Sequence, residues 1–172
     1  MHDGVSIRTA ADSDVRTFVG DRNDRHYLLD HLGQNRGIVL FAFRDGIFAG
    51  HILLRLAPAE EAELRSGLPG VPILERLRVT SVHQRSGIGR RLIAAAEERL
   101  WALGYRRVAL GVHPDNSNAI GLYRSLSFAV WREQTLTTFR EHVHDDGSTV
   151  REEEPCLVFV KALQPPPSRG QH

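Results

Sequence analysis

The amino-acid sequence predicts a single mixed α/β domain, with a central, twisted, mostly antiparallel sheet flanked by helices. Three observations carry this expectation. Two apolar runs, residues 38–44 and 47–56, flank Asp45-Gly46, a dipeptide suited to a hairpin turn whose two central residues need positive φ. In the middle of the chain an alternating run ending at Val79 leads through a glycine-bearing loop into an amphipathic segment, and then into an apolar run at residues 107–112. Near the end, residues 128–140 and 155–163 read as two further strands. Hairpins at both ends with a strand–helix–strand between them make a mixed architecture. A length of 172 residues with 41% hydrophobic content suits one domain with one core.

The elements follow in order. Residues 5–8 read as a short first strand. Asp12 or Ser13 suits a helix cap, and residues 15–32 hold one or two helices before a break at residues 35–37. After the hairpin, residues 57–72 are polar and contain Pro and Gly. They read as a loop over the sheet with a helical turn at 59–64. Residues 87–103 form a helix closed by Gly104, and residues 116–126 another. The polar, acidic stretch 142–154 reads as a solvated connection between the last two strands. The domain spans 5–163. Residues 164–172, opening on Gln164 and Pro165-Pro166-Pro167, read as a disordered tail, since consecutive prolines continue neither helix nor strand.

Composition excludes several classes. A net charge of +1 argues against a dedicated nucleic-acid binder. Basic residues still gather in one segment: Arg76, Arg78, Arg85, Arg90, Arg91, Arg106 and Arg107. Cys156 is the only cysteine, so there is neither a disulfide framework nor a paired zinc motif. It lies in an apolar run, where a buried strand cysteine is the expected role. His142, His144, Asp145 and Asp146 lack a second ligand group at metal-site spacing, so no metal is expected. No apolar run approaches the ~18 residues of a membrane span, and no opening segment has the charged-then-apolar pattern of a secretory leader. The expectation is a soluble, cytoplasmic protein without a membrane partner.

The informative stretch is Gln84-Arg85-Ser86-Gly87-Ile88-Gly89-Arg90, set between a strand and a helix. The first N–H groups of a helix have no internal acceptors and carry positive partial charge. Glycines let a phosphate approach the backbone closely, and Arg85, Arg90 and Arg91 add cationic charge. This is the composition of a pyrophosphate cradle. A nucleoside-triphosphate loop would end in Gly-Lys-Ser/Thr, but Arg90 follows Gly89. A dinucleotide fingerprint would carry a third glycine where Leu92 stands.

Gln-x-x-Gly-x-Gly in this setting resembles the acyl-coenzyme A signature of the Gcn5-related N-acetyltransferases (GNAT). Residues 116–128, Asn-Ser-Asn-Ala-Ile-Gly-Leu-Tyr-Arg-Ser-Leu-Ser-Phe, resemble that family's Asn-x-x-Ala…Leu-Tyr…Gly-Phe stretch, downstream in the expected order. The resemblance runs from Ser6 to Leu163. There are two departures: Ser127 replaces the usual glycine before Phe128, and Thr80-Ser81 replaces a common proline turn. Both bear on turn geometry rather than on groups that do chemistry.

The resemblance implies acetyl-coenzyme A as donor, with Gln84, Arg85, Ser86, Gly87, Ile88, Gly89 and Arg90 around the pyrophosphate. The backbones of Leu77 and Val79 would pair with the pantetheine amides. Asn116 would contact the pantetheine arm or cap its own helix. Tyr123 would stand near the coenzyme sulfur as proton donor to the leaving thiolate; without that resemblance it reads as a packing tyrosine. Glu75 sits in a strand beside Leu77 and Val79, where alternation puts the three on one face and apolar neighbours would raise its pKa, as a general base needs. Leu74-Glu75-Arg76-Leu77-Arg78-Val79 also resembles a pattern in polyamine-acetylating members of the family. The competing reading is a salt bridge from Glu75 to Arg55 or Arg76. His51 and His113 are further candidates near the strand ends.

The implied function is direct N-acetyl transfer to a primary amine, on a small molecule or on a peptide or protein, with homodimerisation left open. The alternative is an acyl-coenzyme A sensor or interaction module without turnover. Such a module needs the glycine loop but neither Tyr123 nor Glu75.

Overall fold

In the computed structural model, which describes residues 4–167, the chain forms an eight-stranded sheet with helices packed against it. Residues 168–172 of the expected tail lie outside the described residues. β1 (Val5–Thr9) is antiparallel to β2 (Gly37–Arg44), and β2 to β3 (Ile47–Arg55). Asp45 and Gly46 between them have φ of 50° and 80°, the two positive values this tight turn requires. α1 (Asp12–Phe18) starts with Ala11 at its cap, not Asp12 or Ser13. Asp14 compensates by accepting a hydrogen bond from the Ala11 N–H at 2.9 Å. Asp21 caps α2 (Arg22–Gly33) through the Asp24 N–H.

The middle follows as expected. The helical turn over the sheet, α3 (Ala62–Gly67), stands three residues later than the expected 59–64, and β4 (Ile73–Val79), α4 (Ile88–Ala102), β5 (Arg107–Val112) and α5 (Ser117–Ser125) complete the strand–helix–strand and its following helix. Thr80-Ser81 opens a single 3₁₀ turn, Ser81–His83, closed by a 2.8 Å bond between Thr80 Oγ1 and His83 Nδ1. Ser127 adopts φ 71°. The turn before Phe128 therefore keeps a left-handed residue, at a cost of about 1–2 kcal/mol for a side chain there.

The last part differs from expectation. Residues 128–140 are not one strand but two, β6 (Ala129–Val130) and β7 (Leu136–Val143), both antiparallel to the long β8 (Thr149–Ala162). Val130 pairs with Phe159 and Leu136 with Cys156, and the Trp131 N–H still donates to Val158 O at 2.8 Å, so residues 132–135 leave the ladder. Trp131 explains the excursion. Its indole fills the space beside Gly67 of α3, where even a Cβ would come within 2.3 Å of the ring.

Residues 142–154 are likewise mostly hairpin, with a turn only at 144–148. This ribbon is largely polar on both faces, so no apolar alternation marks it. Arg140–Glu154 (3.5 Å) and His142–Glu152 (3.2 Å) pairs tie the strands instead. A 2.7 Å bond from the Val143 N–H to Asn23 Oδ1 docks the ribbon on α2.

The sheet order is β1-β2-β3-β4-β5-β8-β6, with β7 also on β8, and β4–β5 is the one parallel pair among the described strands. Alternation sorts the core. Leu40, Ile52, Leu54, Leu74 and Leu110 pack with Leu92, Ile93, Ala96 and Leu100 of α4. Val39, Phe41 and Leu53 turn the other way, onto Val15 of α1, Val19 just beyond it and Leu28 of α2. No described helix is long and apolar enough to cross a membrane.

Candidate active site

The centre of the sheet is shaped by one extra residue. Leu53 pairs with Glu75 but His51 pairs with Arg78, so two steps along β3 match three along β4. Arg76 absorbs the difference at φ 54°. A side chain in that region costs about 1–2 kcal/mol, and its neighbours hold it there. Arg76 and Arg78 both donate to the buried Asp24 carboxylate of α2, at 3.1 and 3.2 Å. The Arg76 guanidinium also covers the Tyr27 ring, 4.3 Å from its centroid.

The bulge corrects the expected alternation. Glu75 does not share a face with Leu77 and Val79. It turns to α2, where it accepts a hydrogen bond from the Tyr27 hydroxyl. Leu77 and Val79 turn to the α4 side and pack on the main core.

β4 and β5 pair only at Ile73–Ala109 and Leu74–Leu110. Beyond that point a cavity of about 620 Å³ lies between them. On the α4–α5 side it is lined by Leu77, Val79, Gly89, Asn116, Leu122 and Tyr123. On the α2–α3 side it is lined by Tyr27, Arg55, Glu61, Glu75, Thr138 and Cys156. The gap in the sheet thus joins the two faces.

The glycine loop meets this cavity at the start of α4. Gly87, at φ 85°, is the N-cap, and Arg85 is also left-handed at 62°. The first helical bond runs from the Arg91 N–H to Gly87 O. The N–H groups of Ile88, Gly89 and Arg90 therefore have no helical acceptor and face outward with positive partial charge. Ile88 is buried in the core, so only its backbone is available. Gln84 is exposed and donates to Val79 O at 3.3 Å, and Ser86 Oγ donates to His83 O; both brace the loop. Arg90 reaches α5, donating to Ser125 Oγ at 2.8 Å. Asn116 caps α5 by accepting from the Ala119 N–H at 3.2 Å, and it also lines the cavity.

Tyr123 packs edge-on against Phe128, with centroids 6.0 Å apart, and its hydroxyl makes no hydrogen bond to another described residue. Burial pushes its pKa up, against a smaller opposing effect of Arg78, so the phenol keeps its proton. Burial also raises Glu75, while the Tyr27 hydrogen bond, Arg55 and Arg76 pull it back. The expected salt bridge exists in looser form: Arg55 Nη1 stands 3.8 Å from Glu75 Oε1, whereas Arg76 is committed to Asp24.

Cys156, expected as a buried strand residue, stands in the cavity wall. Burial pushes its thiol up to about 11, with Glu61 next in effect. His113 lines the cavity and its Nδ1 accepts from the Asp115 N–H. His51 lies outside the lining, and burial holds its imidazole below the usual range. Among the described residues no group of three or more His, Cys, Asp or Glu side chains is arranged for a metal ion.

No motif in the sequence points to Tyr27, Asp24, Glu61 or Thr138, and Arg55 enters there only as a salt-bridge partner. Asp24 and His31 share the buried stripe of α2 with Leu28, and Tyr27 adjoins it. That helical spacing is the legible signal that these polar residues face inward.

Known proteins share this architecture. No curated protein matches the chain significantly in sequence. Among solved structures, the ribosomal-protein-alanine N-acetyltransferase from Brucella melitensis superposes with a TM-score of 0.66 at 23% identity, over 92% of this chain and 99% of that one. The NAA60 of Arabidopsis thaliana, solved in complex with acetyl-CoA, gives 0.65 at 19% identity over 92% and 98%. An N-acetyltransferase from Staphylococcus aureus Mu50 gives 0.67 at 15% over 93% and 99%. At these identities the likeness is one of fold. The family profile goes further, matching residues 7–128, which include the β4 bulge, the glycine loop and Tyr123. With that match over most of its length, the chain belongs to the acetyltransferase (GNAT) family.

Proposed function

We propose that the protein transfers an acetyl group from acetyl-coenzyme A to a primary amine by direct attack in a ternary complex. The observation that carries this is the cavity across the β4–β5 gap, with Tyr123 on one side and Glu75 on the other. The N–H groups of Ile88, Gly89 and Arg90, with Arg85 and Arg90, would hold the pyrophosphate. The unpaired edge of β4 around Leu77 and Val79 would receive the pantetheine amides as an added strand. Family membership and the acetyl-CoA bound to the Arabidopsis neighbour support this donor.

Aliphatic amines are mostly protonated at neutral pH, so the acceptor must lose a proton before attack. Glu75, raised by burial, takes it. The amine nitrogen then bonds to the thioester carbonyl carbon as the carbon–sulfur bond breaks. Tyr123 gives its proton to the departing thiolate, and the second proton of the amine nitrogen, released as the amide forms, restores the phenol. Cys156 lines the same cavity but stays a neutral thiol at physiological pH, which favours direct transfer over an acyl-enzyme. The acceptor side faces α2, α3 and the β7–β8 hairpin, room for an amine on a small molecule or a peptide. The Brucella neighbour's name, which specifies a ribosomal-protein alanine, supports the second.

Thiol release from acetyl-CoA across a panel of primary amines tests the reading. Coenzyme binding without release from any amine would replace it with a sensor or interaction module. The phosphate loop has its own test. A Cβ on Gly89 would sit 3.9 Å from Leu77, Val79 and Leu122, so the backbone tolerates a side chain there. Gly89→Asp is expected to weaken coenzyme A binding at least about tenfold, roughly 1.4 kcal/mol, by bulk and repulsion of the phosphates. The melting temperature should hold, because an acidic residue suits the first turn of a helix. Calorimetry showing unchanged affinity overturns the assignment.

A further inference from the structure

Tyr27 lies on α2, 48 residues before Glu75 in sequence, and its hydroxyl donates to Glu75 Oε2. Arg55 Nη1 stands 3.5 Å from the same hydroxyl oxygen and 3.8 Å from Glu75 Oε1. Arg55 is itself fixed, with Nη2 donating to Pro58 O at 2.7 Å and Nε to Ala57 O at 3.4 Å. The Tyr27 ring is held from the other side by Arg76, whose bond to Asp24 anchors it to the bulge. One carboxylate oxygen of Glu75 is therefore engaged by a phenol that a guanidinium and a helix keep in place. The other is left without a close donor, in a side chain that lines the cavity together with Thr138 and Glu61.

We propose that Tyr27 is a positioning residue, which fixes Glu75 Oε2 so that Oε1 is presented to the proton of the incoming amine. The proposal rests on Glu75 as the base. The charged and titratable groups that face this carboxylate are Tyr27 from α2, Arg55 from β3, Arg76 from its own strand, Glu61 ahead of α3 and Cys156 from β8. Of these, Tyr27 is the hydrogen-bond donor that stabilises the ionised form directly; Arg55 and Arg76 act through charge, and Glu61 opposes them.

The test is the pH–rate profile of thiol release with acetyl-CoA and the best amine of the panel. Tyr27→Phe keeps the ring under Arg76 and removes the donor. The carboxylate then ionises less readily, and the acidic limb is expected to move to higher pH by about one unit, the scale of one hydrogen bond to a charged group. Activity lost at neutral pH should return at higher pH, with coenzyme A affinity unchanged. Installing 3-fluorotyrosine in place of Tyr27 strengthens the donor without disturbing the fold, and should move the limb the other way.

Glu75→Gln is measured alongside. If it loses the limb while both changes at Tyr27 leave the limb in place, the base stands and the positioning role is overturned. If Glu75→Gln keeps the limb, the base reading fails and the proposal falls with it.

Discussion

Tyr123→Phe is expected to lower turnover about 100-fold, the usual contribution of a general acid, while coenzyme A affinity changes by no more than about threefold. The separation follows from geometry. The ring contributes packing, edge-on to Phe128 and tilted against Phe159 at 6.5 Å, and phenylalanine keeps both contacts. The hydroxyl makes no hydrogen bond to another described residue, so removing it should cost the packing little. Burial raises its pKa, so the proton remains on the phenol well past neutral pH and is available when the thiolate forms. Single-turnover kinetics with calorimetry on the same variant reads both quantities. Turnover within about twofold of wild type would make Tyr123 a packing residue, with the thiolate protonated by water.

Much of this site is written locally. Asp45-Gly46 announces its turn because only certain residues adopt two successive positive φ values. The glycine loop announces a helix N-terminus because the orphan N–H groups are a property of every helix start. Asn116 is legible as a helix cap because its side chain accepts from an N–H three residues on, in Ala119.

What stays hidden is set by pairs distant in sequence. The bulge at Arg76 leaves no mark on the alternating pattern of β4. It is fixed by Asp24, more than 50 residues earlier, which takes both Arg76 and Arg78. A one-residue shift then reverses the face of every side chain beyond it, so Glu75 parts from Leu77 and Val79. The β7–β8 ribbon is hidden for a different reason. Its strands are held by cross-strand polar pairs and by docking on α2, and a strand polar on both sides carries no apolar period to read.

Glu75→Gln is expected to lower turnover about 100-fold and to remove the acidic limb of the pH–rate profile, with coenzyme affinity barely changed. Glutamine keeps the shape and can still accept from Tyr27, but it cannot take a proton from the amine. The stability consequence has a definite sign. Burial is the largest influence on Glu75 and raises its folded pKa above the unfolded value, so the folded protein holds the proton more tightly. The stability tied to that proton is complete below the unfolded pKa and is lost as pH rises through the raised folded value. Glutamine removes this loss, so the melting temperature of the variant should vary less with pH across that window. Arg55 loses its carboxylate partner at 3.8 Å but keeps its hydrogen bonds to the Pro58 and Ala57 carbonyls, which limits the cost to stability. The salt-bridge reading predicts the opposite pair of results: a lower melting temperature at neutral pH, with the acidic limb retained. Measuring both on one variant decides between them, and a persistent limb would shift the search for the base to His113, which lines the same cavity.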